Sequence, residues 1–365
     1  MSAQPVPVVA AIAETKPAVE EPNPAVSEAV DEQKPLAEAA KPVTSEVVPP
    51  PTEDVKPESA EAVLESKSVA DPALAPASTS DQKDFAAPKK VLTPLSEMFA
   101  ELPALVKEAG HGEMWGIELK EGSVPTSIVL EKFLRANAKD VPKAKAQLIE
   151  ALKWRKTVDP IKLLADTEFD SSRFGGLGYV TVYPKTEGHE KEIVTWNIYG
   201  AVKDNKATFG NVEDFVKWRA ALMELSVKEL DLSSATEEIP ENGIDPYRMV
   251  QVHDYLNVSF LRMDPTIRAA SKQTIQTFSM AYPELLKEKF FVNIPLVMGW
   301  VFTGMKVFLS PETIKKFHPL SYGSNLAGEL PGFGKELPVA YGGKGKDVKE
   351  GLTVKYAGAG EAVKE

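Results

Sequence analysis

Met249-Val250-Gln251-Val252-His253-Asp254-Tyr255 and Phe290-Phe291-Val292-Asn293-Ile294 bracket the stretch of this sequence that decides its fold. Both segments are rich in β-branched and aromatic residues and read as strands, and the residues between them, from about Pro265 to Tyr282, read as one long helix. Two strands joined by a helix of that length pair in parallel through a crossover. The same alternation extends backwards. A helix runs from Val212 to about Leu232, opened by Asn211 as its cap, and period-two strands occupy Gly178 to Tyr183 and Ile193 to Tyr199, bounded by Gly176, Pro184 and Gly200. Before these, from Leu92 to about Phe169, the pattern is helical. Its clearest helix spans Val141 to Thr157, with Asp140 as N-cap, Pro142 in the first turn, and Val141, Ala144, Leu148 and Leu152 forming one apolar stripe. Ile128, Val129, Phe133 and Leu134 make the stripe of a preceding helix that packs on it. The expected fold is α/β, with a small N-terminal helical lobe over residues 91–170 and a mainly parallel sheet with crossover helices over 171–345.

The two ends differ from this body. Residues 1–90 hold 14 of the 29 prolines, no Gly, Trp, Tyr or Arg, and 8 Lys against 16 Asp and Glu, which is −8 of the net −11. Such a stretch cannot bury enough apolar surface to offset backbone ordering, at roughly 1–2 kcal/mol per residue, so it is expected to be a disordered acidic tail. Val8 to Ala13 lacks the preceding positive charge of a signal peptide. Residues 346–365 read as a flexible C-terminal tail. The chain has no cysteine, which removes disulfides and thiolate chemistry and suits a reducing compartment. No basic stripe suggests a nucleic-acid partner.

One segment is apolar almost all round. In Leu296 to Leu309 the residues Leu296, Trp300, Phe302 and Phe308 would face several sides of a helix, so that helix is buried on most sides. At about fourteen residues, with Lys306 inside it, the run is shorter than the roughly twenty needed to span a bilayer. Two readings stand: a central core helix, or a mobile cover over a cavity whose outer face meets membrane when it opens.

Alternation along the Met249 strand places His253 beside Tyr255 on one face, about 7 Å apart along the chain. They are either an ordinary buried pair bonded to backbone or a ligand site. Arg219, on an otherwise apolar helix beside Trp218, Leu222 and Met223, either pairs with a carboxylate or points at a bound anion. Glu284, Lys289 and Lys316 are further candidate anchors for a ligand head. Catalytic templates find no match: there is no Gly-x-Ser-x-Gly elbow, no Walker loop and no His-Glu-x-x-His helix, and Gly175-Gly176-Leu177-Gly178 precedes a strand instead of following one. With four histidines in the chain, a multi-histidine metal site is not expected, and neither is an enzyme.

In order and in detail the sequence resembles the CRAL-TRIO lipid-binding family. The resemblance is carried by Phe133-Leu134-Arg135-Ala136 with Trp154-Arg155-Lys156, by Tyr282-Pro283-Glu284, by Phe291-Val292-Asn293-Ile294-Pro295, by Phe308-Leu309-Ser310-Pro311-Glu312-Thr313 and by Tyr341-Gly342-Gly343-Lys344. It implies a hydrophobic cavity closed by a gating helix, which falls on Leu296, Trp300, Phe302 and Phe308. Val194-Thr195-Trp196-Asn197-Ile198-Tyr199-Gly200 and Gln251-Val252-His253-Asp254-Tyr255 are similar to the non-classical fungal branch that transfers phosphatidylinositol and also holds haem. That likeness implies ferric haem b with Tyr255 as axial ligand, His253 in support, and Arg219 and Lys289 at the polar edge. Glu284 and Lys316 become anchors of the inositol head. It further implies a non-enzymatic carrier in the cytoplasm, peripheral on endoplasmic reticulum or microsomal membrane, supplying lipid kinases; the alternative it leaves is a haem-handling protein with little lipid transfer. Asn137 stands where the branch places a charge or a ring.

Overall fold

The computed structural model describes residues 93–240, 243–258, 264–295 and 311–358. The acidic stretch 1–90 and the gating-helix residues Leu296, Trp300, Phe302 and Phe308 lie outside the described residues.

The lobe begins with α1 (Pro94–Ala109), where Thr93 Oγ1 accepts from Ser96 N at 3.2 Å and Gly110, at φ 66°, ends the helix. A tight hairpin follows, β1 (Glu113–Met114) against β2 (Ile117–Glu118), in a region whose pattern had read as helical. Its turn puts Trp115 and Gly116 at φ 55° and 82°, a left-handed pair that suits the hand of a two-residue turn. Then come α2 (Val124–Ala136), α3 (Val141–Val158) and α4 (Pro160–Asp166). Asp140 caps α3 by accepting from Lys143 N at 3.1 Å. Phe133 of α2 stacks on Trp115 with ring centres 5.8 Å apart, so the hairpin is fixed to the same core as the helices.

After β3 (Phe169–Asp170) and the single turn α5 (Ser171–Phe174), the chain builds a five-stranded sheet. Its strands are β4 (Gly178–Tyr183), β5 (Glu192–Ile198), β6 (Met249–Asp254), β7 (Leu286–Val292) and β8 (Phe317–Leu320), lying in that order. β4 and β5 are joined by a short loop and run antiparallel; β5 to β8 are all parallel. The helices between them, among the described residues, include α6 (Asn205–Phe209), α7 (Val212–Leu230) and α8 (Pro265–Ala281), with a short helix Pro311–Lys315 leading into β8. Asn211 caps α7, its Oδ1 accepting from Asp214 N at 3.2 Å. β7 begins four residues before Phe290 because Leu286 already pairs with Met249. β8 escaped the sequence pattern, since an edge strand with His318 and Pro319 has neither alternation nor a full set of N–H groups.

The two faces of the sheet serve different ends. Val194, Trp196, Val250, Val252, Phe290 and Val292 pack on Leu326, Phe333, Leu337 and Tyr341 of the C-terminal segment. Here Gly342 lies at φ 85°, and a Cβ on it would come within 2.0 Å of Ser324 O, so the Tyr341-Gly342-Gly343 run is a packing requirement. The opposite face carries Gln251, His253 and Lys289, which open onto a cavity.

The expected flexible tail over 346–365 is corrected for its described part. Leu352 exchanges two backbone hydrogen bonds with Val180 at 2.7 and 2.8 Å, and Thr353 Oγ1 donates to Gly178 O at 2.7 Å. Val354 is buried, and β9 (Tyr356–Ala357) pairs in parallel with β3. The charged run Lys346 to Glu350 had masked a period-two pattern at Leu352, Val354 and Tyr356.

Candidate functional site

The positions that build the cavity come from four directions. The β6 register sends Gln251, His253 and Tyr255 to one side, and the neighbouring strand places Lys289 opposite Gln251 and Phe291 opposite His253. Across the parallel β5–β6 pair, Asn197 lies opposite His253, and Arg219 of α7 donates from Nη1 to Asn197 Oδ1. The end of α8 delivers Tyr282 and Glu284, and the turn before β8 delivers Lys316. Arg219, His253, Tyr255, Lys289, Glu284 and Lys316 thus all line a single cavity of about 1990 Å³. Pockets for drug-sized ligands hold roughly 300–1,000 Å³, so this one suits a lipid or a macrocycle.

Two polar poles occupy its wall. At one, Lys316 Nζ meets Glu284 Oε2 at 3.2 Å. Glu284 sits at φ 55°, and its carbonyl accepts from the buried Lys132 Nζ at 3.0 Å, which also donates to Asp245 Oδ2 at 2.5 Å and Tyr247 O at 2.7 Å. Lys132 was missed in the sequence, although it falls four residues after Ile128 on the apolar face of α2, where a lysine requires a partner.

At the other pole, Tyr199 packs against both His253 and Tyr255, with ring centres 5.4 and 5.5 Å away, while His253 and Tyr255 are 6.5 Å apart. Tyr199 too was missed as a site residue, because strand register is not written in the sequence. Among the described residues, His253 Nε2 and Arg219 Nε are buried without a hydrogen-bond partner. The Arg219 guanidinium lies over the Phe278 and Trp218 rings at 5.4 and 5.9 Å, and Lys289 Nζ over Phe317 and Phe291 at 5.5 and 5.6 Å. Burial, then the charges of Lys289 and Arg219, hold the His253 imidazole well below its usual range, so it is neutral. Burial and Tyr199 push the Tyr255 phenol up, against the pull of Arg219.

Asp254 points to the other face and pins the chain just before Tyr255. Its Oδ1 accepts from Leu256 N at 2.8 Å and Asn293 Nδ2 at 2.7 Å, and its Oδ2 from Tyr341 Oη at 2.7 Å. Asn137 is a helix clamp: its Nδ2 donates to Phe133 O at 2.9 Å and Gln147 Oε1 at 2.6 Å, and Gln147 in turn reaches Met280 O at 3.0 Å. The neighbour that lines the cavity is Ala136.

Burial, followed by Arg219's charge, brings the Lys289 ammonium down to about 7, and burial takes Lys132 to about 8 against the pull of Asp245. The unfolded chain protonates both nearer 10.5. Between those values the unfolded state binds more protons, so stability rises with pH. Melting of the ligand-free protein is therefore expected at higher temperature at pH 9 than at pH 7, and Lys289→Met should flatten part of that rise; thermal melts across this range check it.

The CRAL/TRIO domain model matches residues 178–343, which takes in the five-stranded sheet and the cavity-lining strands. The phosphatidylinositol transfer protein sfh5 of Botryotinia fuckeliana (strain B05.10) is 74% identical over 274 residues, 74% of this chain and 62% of that protein. The protein of the same name from Sclerotinia sclerotiorum (strain ATCC 18683 / 1980 / Ss-1) is 72% identical over 268 residues, 73% of this chain and 65% of the other. The chain thus spans somewhat less than two thirds of the length of these relatives. Among solved structures, a crystal structure of Sfh5 superposes with a TM-score of 0.62 at 32% identity, covering 71% of this chain. A fold held in common with Sfh5 over 90% of that chain, with the domain match lying on the cavity-bearing sheet, means that this chain belongs to the CRAL/TRIO family.

Proposed function

We propose that this chain takes one phosphatidylinositol molecule into the cavity and moves it between membranes without catalysing a reaction. The observation that carries this reading is a lipid-sized cavity with the Lys316–Glu284 pair on its wall. Acyl chains pack on the apolar lining, Lys316 meets the phosphate, and Glu284 accepts hydrogen bonds from inositol hydroxyls while Lys132 holds its backbone in place. The names of the sfh5 relatives support it. The carrier works from the cytoplasm, peripherally on endoplasmic reticulum or microsomal membrane, and presents its lipid to lipid kinases. Labelled phosphatidylinositol should move between vesicles, and Lys316→Glu, which sets a like charge against Glu284, should slow that movement about tenfold or more. No transfer by the wild-type chain beside a working control carrier would refute the proposal.

A second reading, haem b in the same cavity, is favoured by the unpartnered His253 Nε2 and Arg219 Nε on the wall that also carries Tyr255. Ferric iron takes an anionic oxygen ligand and lowers the pKa of a coordinating phenol. Tyr255 offers that oxygen, His253 orients it, and Arg219 and Lys289 match the porphyrin's carboxylates. Addition of haem should give a Soret band whose position changes in Tyr255→Phe; an unchanged spectrum in that variant would rule out tyrosine ligation.

A further inference from the structure

The cations in the core and cavity of this protein fall into two groups. In the lobe each has a carboxylate: Lys132 has Asp245 at 2.5 Å, and Arg155 has Glu224 at 2.6 Å and Glu113 at 2.8 Å. In the cavity, Arg219 and Lys289 have none among the described residues. Arg219 bonds the neutral Asn197 and rests on two rings, Lys289 rests on two rings, and the His253 beside them keeps Nε2 unpartnered. A protein that pairs the buried Lys132 and Arg155 so closely gives this cluster no carboxylate among the described residues.

The surroundings define the missing anion. Phe278, Phe291, Phe317, Trp218 and Tyr199 turn ring faces and edges to the cluster, and the polar side chains beside it, Gln251 and Tyr255, are few against the several hydroxyls of a sugar or inositol head. The anion is therefore compact and attached to an apolar body. Arg219 presents its Nε edge, which suits one oxygen of a carboxylate, and the neutral His253 and Lys289 can donate to the other.

We infer that the Arg219–His253–Lys289 cluster is a carboxylate site that takes a long-chain free fatty acid, a ligand distinct from the phospholipid served by Glu284 and Lys316. The inference goes beyond the proposed phosphatidylinositol transfer and shares with it only the cavity. A porphyrin carboxylate has the same chemistry, and the experiment separates the two.

Full-length protein is stripped of lipid and haem, with absorption and mass spectra confirming this, and is titrated with oleate carrying a ¹³C-labelled carboxylate and, in parallel, with oleyl alcohol. Wild type should bind oleate with a shifted carboxylate resonance. Lys289→Met and Arg219→Gln, each confirmed folded by its melting curve, should weaken oleate about tenfold or more while changing oleyl alcohol little. Lys316→Met should bind oleate like wild type. Equal loss of acid and alcohol, or unchanged oleate affinity in both cluster variants, overturns the inference. So does haem binding at Arg219 and Lys289 that oleate neither shares nor displaces. Oleate binding with no phosphatidylinositol transfer leaves the inference standing and refutes only the transfer proposal; transfer without oleate binding does the reverse.

Discussion

Arg155→Met is expected to cost about 3–5 kcal/mol, because it leaves the Glu224 carboxylate, only 1% exposed, with no cation. Arg155 itself is completely buried and bridges Glu224 and Glu113, joining α3 to both α7 and the β1–β2 hairpin. Glu113 is 28% exposed and rehydrates, whereas Glu224 keeps only the Tyr282 hydroxyl, at 2.7 Å. At about 2–4 °C per kcal/mol, the melting midpoint should fall by roughly 10 °C. Adding Glu224→Leu should recover much of the loss, since removing both charges is far less costly than stranding one. A double-mutant cycle followed by chemical denaturation measures the coupling. Equal stability of Arg155→Met and wild type would mean that water reaches Glu224.

The second large effect concerns the segment that sequence reading placed in a loose tail. Truncation after Gly345 removes Val354, which contributes about 1.5–3 kcal/mol by burial. It also removes both Leu352–Val180 hydrogen bonds, the Thr353–Gly178 bond and the Trp218 Nε1–Tyr356 Oη bond, each contributing about 1 kcal/mol. The expected loss is about 6 kcal/mol. Limited proteolysis and melting of the shortened chain should register it, and a truncated protein as stable as the full chain would contradict the packing described for β9.

These two cases mark where the sequence was legible. Helices α3 and α7 could be read to within two residues of their ends because Asp140 and Asn211 announce them locally. The mainly parallel sheet followed from the strand, helix, strand rhythm around Met249 and Phe290. Short elements were not legible: β1, β2 and β9 span two residues each, too few for any periodicity, and exist because distant segments pair with them. The site divides in the same way. Alternation on β6 was enough to put His253 and Tyr255 on one face. That Lys289 sits opposite Gln251, or that Tyr199 closes on both rings, depends on interstrand register, which only the assembled sheet defines. Lys132 was visible as a lysine on an apolar stripe, but its triple anchorage to Asp245, Tyr247 and Glu284 joins residues more than a hundred positions apart.

The bond between Leu352 and Val180 has a consequence of another kind. An outer strand with unpaired N–H and C=O groups is a template on which a second molecule can extend the sheet, and this is a common start of aggregation. Here the C-terminal segment occupies the outer edge of β4 at its centre, and β8, at the other edge, is short and contains Pro319, which has no N–H to offer. Losing the segment would therefore do more than loosen the domain: it would uncover a sticky strand and give the shortened chain a tendency to seed edge-to-edge assemblies.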